Sequence, residues 1–91
     1  MNESTGVRVR NREDGVIVRW AGNELLLLDT AADRIHQLNP TAGLIWEKLA
    51  TGDSSDDIVR ALCDQFDVSE DQARADVAQT LCQFREQGLV A

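Results

Sequence analysis

Tyrosine is absent from the 91-residue sequence, and the aromatic residues are only Trp20, Trp46, Phe66 and Phe84. There is a single proline, Pro40, a single histidine, His36, and a pair of cysteines, Cys63 and Cys82. Each scarcity excludes something. One proline argues against a proline-rich disordered chain. Two cysteines cannot build the multi-bridge framework of a small secreted scaffold. Both fall at apolar helical positions, so reduced core thiols are expected. One histidine leaves metal and nucleophilic sites short of parts, because the first needs a cluster of ligands and the second a base with an orienting group. Asp53, Asp56 and Asp57 are better explained as helix-capping acids than as a calcium loop. No glycine-rich phosphate loop or nucleophile elbow is present. The expectation is therefore no catalytic residue, no metal, no cofactor and no enzyme activity. Long apolar runs are lacking too. The longest is Leu25–Leu28, far short of the roughly 18 residues of a membrane span. No apolar stretch follows Met1, so a cytoplasmic, membrane-free location is expected.

Positive charge is also scarce. Nine basic residues face sixteen acidic ones, giving −7 at neutral pH. Nucleic-acid binding draws on cations that displace counterions from phosphates, so this balance speaks against DNA, RNA and anionic membranes. The imbalance is uneven. Residues 1–39 carry five arginines and six acids, whereas residues 40–91 carry Lys48, Arg60, Arg74 and Arg85 against ten acids. An anionic partner would prefer the N-terminal half.

What is present divides by periodicity. Residues 1–14 form a polar segment, either a frayed tail or a weak edge strand at Val7–Arg10. Val16–Trp20 is rich in β-branched residues. Glu24–Asp29 is a short apolar run with a charge at each end, read as a strand buried on both faces. Arg34–Asn39 is a third run, its Ile35 and Leu38 breaking strict alternation as at a twist or bulge. Short connections join the three into an antiparallel meander. From Asn39 the period becomes helical. Asn39 caps and Pro40 opens a first helix carrying Ala42, Ile45, Trp46 and Leu49, and Gly52 closes it. Ser54 or Ser55 starts a second, with Ile58, Val59, Leu62, Cys63 and Phe66 on its apolar face. Ser69 and Gln72 match a capping box for a third. That helix buries Ala73, Val77, Thr80 or Leu81, and Phe84, and Gly88 stops it. The fold class is α+β: a winged helix-turn-helix-like domain with a three-stranded antiparallel sheet followed by three helices.

Several of these residues resemble the PqqD-like family. They are Leu25–Asp29, then Ile35-His36-Gln37-Leu38-Asn39-Pro40-Thr41-Ala42, then Ile45-Trp46, then Gly52-Asp53, Ile58–Leu62, Phe66-Asp67-Val68, Asp76-Val77 and Gly88-Leu89. The Leu-Asn-x-x-Ala piece is the most specific. The resemblance covers about residues 16–91 and implies a peptide-binding domain over residues 15–91. It implies a RiPP recognition element, a non-catalytic module that binds the leader segment of a ribosomally made precursor peptide. Such a module presents the leader to a modifying enzyme or leader peptidase in natural-product biosynthesis. The Asp29–Ala32 turn and Trp46 look most like free-standing members from lasso-peptide clusters.

In that family the leader adds as a strand along the third strand and fills a groove against the third helix. Carried over here, the peptide-binding residues are Arg34, Ile35, His36, Gln37 and Leu38 on the strand, and Arg74, Ala78, Leu81 and Arg85 on the helix. The sequence is compatible with that role. The strand has no proline to block its ladder groups, and its outward residue is Arg34, His36 or Gln37. The four helical residues share one flank, apolar in the middle with a cation at each end. An exposed edge also permits a monomer or a strand-swapped dimer. The alternative function is a winged-helix nucleic-acid-binding or transcriptional adaptor domain, since the last two helices have a helix-turn-helix outline. Its recognition helix would offer Arg74 and Arg85 against Glu70, Asp71, Asp76 and Glu86.

Overall fold

Residues 6–90 are described by the structure, a computed structural model. A 3-10 turn at Arg12–Asp14 leads into β1 (Val16–Ala21), β2 (Glu24–Asp29) and β3 (Arg34–Leu38). Three helices follow: α1 (Pro40–Ala50), α2 (Ser55–Gln65) and α3 (Glu70–Glu86). The strands form one antiparallel sheet in the order β1-β2-β3. The α+β winged arrangement is as expected.

The central strand is not buried on both faces as the unbroken leucine run suggested. Leu25 and Leu27 are fully buried, while Leu26 and Leu28 are half-buried on the other face. Side chains alternate across a strand, and helices cover only one side of the sheet. The β2–β3 register runs without interruption from Leu25↔Leu38 to Asp29↔Arg34, so there is no bulge. Leu25, Leu27 and Leu38 meet Ile45, Leu49, Ile58, Leu62, Phe84 and Leu89 in one core. Trp46 is buried and stands edge-on to Phe84, with ring centres 5.4 Å apart. Trp20 is half exposed and lies over Gly43 of α1. A Cβ on Gly43 would sit 3.2 Å from the Leu25 Cβ and 3.3 Å from the Trp20 ring. Gly43 therefore lets α1 approach the sheet.

Each helix begins on a side-chain cap. The side chains of Asn39, Ser54 and Ser69 accept from the backbone N–H groups of Ala42, Asp57 and Gln72. The capping box at α3 is half formed, because the Gln72 amide turns to Asp76 instead of back to Ser69. Thr80 is buried and Leu81 half-buried, which settles the α3 core stripe as Ala73, Val77, Thr80 and Phe84. Cys63 is half-buried and Cys82 exposed. The core-thiol expectation fails for Cys82 because it lies half a turn from that stripe.

The segment before the sheet is fastened at several points. Val9 is buried and bridges Val90, and the Arg10 N–H donates to the Leu89 carbonyl. The Arg10 guanidinium donates twice to the buried Asp29 carboxylate, at 2.6 and 3.0 Å, and also to the carbonyls of Asp14 and Gly88. Residues 1–5 of the expected polar segment lie outside the described residues.

Candidate functional site

The direction of every ladder group follows from one hydrogen bond. The Thr30 N–H donates to the Gly15 carbonyl at 2.8 Å, which makes that pair a bonded row. Bonded and non-bonded rows alternate in an antiparallel ladder. Ile17–Leu28, Arg19–Leu26 and Ala21–Glu24 are therefore bonded rows between β1 and β2. Leu25, Leu27 and Asp29 turn their N–H and C=O groups the other way, to Leu38, His36 and Arg34. What remains on β3 is Ile35 and Gln37, whose main-chain groups point away from the sheet. Among the described residues no backbone group outside the ladder bonds to them.

The faces follow from the same register. Arg34, His36 and Leu38 stand on the helix-covered face opposite Asp29, Leu27 and Leu25. Ile35 and Gln37 stand on the open face. Of the three outward residues expected from sequence, Gln37 is outward and His36 is turned inward. Leu38 is buried, and Arg34 is exposed with no ion pair among the described residues. Ile35 is 71 % exposed and continues a cross-strand row with Ile17 and Leu28. The Gln37 amide donates to the Glu24 carboxylate at 2.6 Å. His36 is half-buried, and its Nε2 is buried with no hydrogen-bond partner among the described residues. The five strand residues are thus brought together as one open edge.

The helical half of the expected site is placed differently. Arg74 pairs with Asp56 of α2 at 3.0 Å and with Glu70 at 2.9 Å. These carboxylates raise its pKa further, Glu70 most and then Asp56. It lines a cleft with Asp56, Val59, Arg60 and Cys63, between α2 and α3. Ala78, Leu81 and Arg85 share that flank by helical phase. The flank expected from sequence is therefore the one that faces α2. The opposite flank carries Asp76, Gln79 and Gln83, which with Thr80 border a hollow of about 220 Å³ against Asn39, Thr41 and Ala42. That hollow adjoins the end of β3. Periodicity identifies the buried stripe of a helix but not which neighbour lies on each side, so the sequence alone does not tell these two flanks apart. The charge pattern held a partial signal: Arg74 has Glu70 one turn before it and an acidic start of α2 to pair with.

No Cα of α3 comes within 8 Å of a Cα of β3 among the described residues. Adjacent strands lie about 4.8 Å apart, so α3 does not stand in a strand's place beside β3. The chemistry on offer is main-chain pairing, with an isoleucine and a glutamine on one side and a half-buried histidine on the other. Among the described residues no three metal-ligating side chains cluster, and no helix is long and apolar enough to cross a membrane.

Comparisons with known proteins bear on this edge. The family model described as coenzyme PQQ synthesis protein D (PqqD) matches residues 24–90. Two solved structures share the fold. One is "Lasso peptide synthetase B1 complexed with the leader peptide", 28 % identical, with a TM-score of 0.80 over 93 % of this chain and 96 % of that one. The other is "TbiB1 in Complex with the TbiA(beta) Leader Peptide", 22 % identical, with a TM-score of 0.79 over 91 % and 93 %. No curated protein matches the sequence.

Proposed function

The chain belongs to the PqqD family, and from that premise we propose that it binds the leader segment of a ribosomally made precursor peptide along β3. One observation carries the proposal: Ile35 and Gln37 present outward main-chain groups that no backbone group outside the ladder meets among the described residues, at an edge where no Cα of α3 lies within 8 Å of a Cα of β3. The similarity to a lasso peptide synthetase B1 protein bound to a leader supports it. The leader adds as a fourth strand, and affinity comes from main-chain pairing plus a few side-chain anchors. One alternate set of its side chains lies on the open face, extending the Ile17–Leu28–Ile35 row. The other set turns inward past Arg34, His36 and Leu38, toward Asp76, Gln79 and Gln83. Ala78, Leu81 and Arg85 contribute only if the leader crosses over α3. The chain itself does no chemistry in this scheme. It holds the leader for a separate modifying enzyme or leader peptidase in the cytoplasm, as a monomer or a strand-swapped dimer.

The test is a titration with leader peptides encoded beside its gene, read by backbone amide shifts. Shifts should concentrate on Arg34–Leu38. Gln37→Pro removes one outward N–H and leaves the rows to β2 intact, a position where proline is tolerated. Losing the hydrogen bond and the close fit around it should raise Kd roughly tenfold, about 1.4 kcal/mol, with little change in Tm. Unchanged affinity in that variant overturns strand addition at β3. No shift with any neighbouring leader overturns the function.

A further inference from the structure

The other side of the sheet is open as well. By the same alternation of rows, Val16, Val18 and Trp20 turn their main-chain groups away from β2. The Val16 N–H confirms the direction, since it donates outward to the Asn11 carbonyl at 3.0 Å. Beyond that point no backbone group outside the sheet meets Val18 or Trp20 among the described residues. The Val18 carbonyl receives only a long contact, 3.3 Å, from the guanidinium of Arg19. A cleft of about 340 Å³ runs along this edge, between the Val9–Arg12 segment and Val16–Arg19, with Trp46 and Ala50 also lining it. It is closed at the Val16 end by Asn11. A shallower hollow lined by Val18, Leu44, Trp46 and Ala50 lies next to it.

We infer that the β1 edge is a second docking surface, which takes an extended segment of a partner protein in which apolar and acidic residues alternate. The period comes from the pleat. Val18 and Trp20 stand on the helix-covered face, opposite Leu27 and Leu25, so inward side chains of an added strand meet Val18, Trp46 and Ala50. Arg19 stands on the open face, opposite Leu26. Outward side chains of the added strand therefore lie beside a cation, and opposite charges at neighbouring cross-strand positions attract. Arg12 adds a second cation to the cleft. Neither Arg12 nor Arg19 has a carboxylate within ion-pair distance among the described residues, whereas Arg10 is engaged by Asp29. Two unpaired arginines at an apolar cleft on a chain of net charge −7 select an acidic occupant. A second copy of this chain does not supply one, since neither open edge strand, Val16–Ala21 or Arg34–Leu38, contains an acid.

The inference is independent of leader binding at β3, and one set of titrations separates the two. The probe is a capped synthetic peptide alternating valine with glutamate; its control replaces each glutamate by lysine. The acidic peptide should shift the amides of Ile17–Ala21 and the Trp20 indole, and the basic peptide should not. Val18→Pro removes an outward N–H without touching the rows to β2, and should weaken binding roughly tenfold. Arg12→Glu with Arg19→Glu should reverse the preference to the basic peptide, and covers the case in which Val18→Pro does not fold. Gln37→Pro should leave all of this unchanged. Equal binding of both peptides, shifts confined to Arg34–Leu38, or no shift at the solubility limit of the acidic peptide overturns the proposal.

Discussion

At Gly43 a residue with poor helix propensity sits in the middle of α1. Glycine there costs about 1 kcal/mol against alanine, and the pattern of neighbouring apolar residues gives no reason for it. The reason is tertiary: a Cβ there would crowd the Leu25 Cβ at 3.2 Å and the Trp20 ring at 3.3 Å. Overpacking of about 1–3 kcal/mol outweighs the roughly 1 kcal/mol alanine gains in helix propensity, so Gly43→Ala should destabilise the domain by a net of about 1 kcal/mol, lowering the urea midpoint and moving the Trp20 fluorescence. Asp29 is a second case that sequence could not resolve. In the sequence it is only the charge that closes a leucine run, yet its carboxylate is buried against Arg10. The hydrogen bonds from Arg10 act first, ahead of those from the backbone of Ala32 and Ala31, and the Asp29 pKa is lowered. The stabilisation is therefore fully present above the unfolded carboxylate value near pH 4. It is lost as pH falls through the lower folded value. Stability of the native chain should drop on acidification below about pH 4, and Asp29→Asn should start lower and show a shallower drop.

Elements were more legible than single residues. The change of period at Asn39, the cap residues and the glycine stops locate the three helices, because those signals are local. Asn39→Ala should cost about 1 kcal/mol, read as a fall in Tm, since its side chain caps the helix that follows the proposed binding strand directly. The strands were legible from β-branched and leucine runs, but not the face assignment within β2. A run of identical leucines carries no alternation, and only the one-sided helix layer decides which pair is buried. The α3 flank was illegible for a related reason: neighbours across space leave no mark on periodicity. The two flanks can be told apart by experiment. Arg74→Ala should leave leader affinity and Tm nearly unchanged, because its ion pairs are exposed and contribute little. Asp76→Lys should alter the affinity for a leader peptide. An effect of Arg74→Ala comparable to that of Asp76→Lys would restore the flank read from sequence.

For the whole molecule, both edges of the three-stranded sheet lack a partner strand among the described residues. Neither edge carries proline, and each has one charged side chain, Arg19 on β1 and Arg34 on β3. Net charge was legible at once, but its meaning depended on where the few cations sit, and only the assembled sheet shows Arg12 and Arg19 along one cleft. The segment before β1 was the least legible part. Its polar composition hides Val9, whose burial depends on the last residues of the chain, and the family match does not reach it. The Val9–Val90 bridge has a consequence for protein architecture. The chain enters and leaves the domain at neighbouring points, separated by about one strand spacing, 5 Å. A unit with such a gate can be spliced into a surface loop of a larger enzyme as a cassette. The host backbone would have to open by little more than the width of a hairpin.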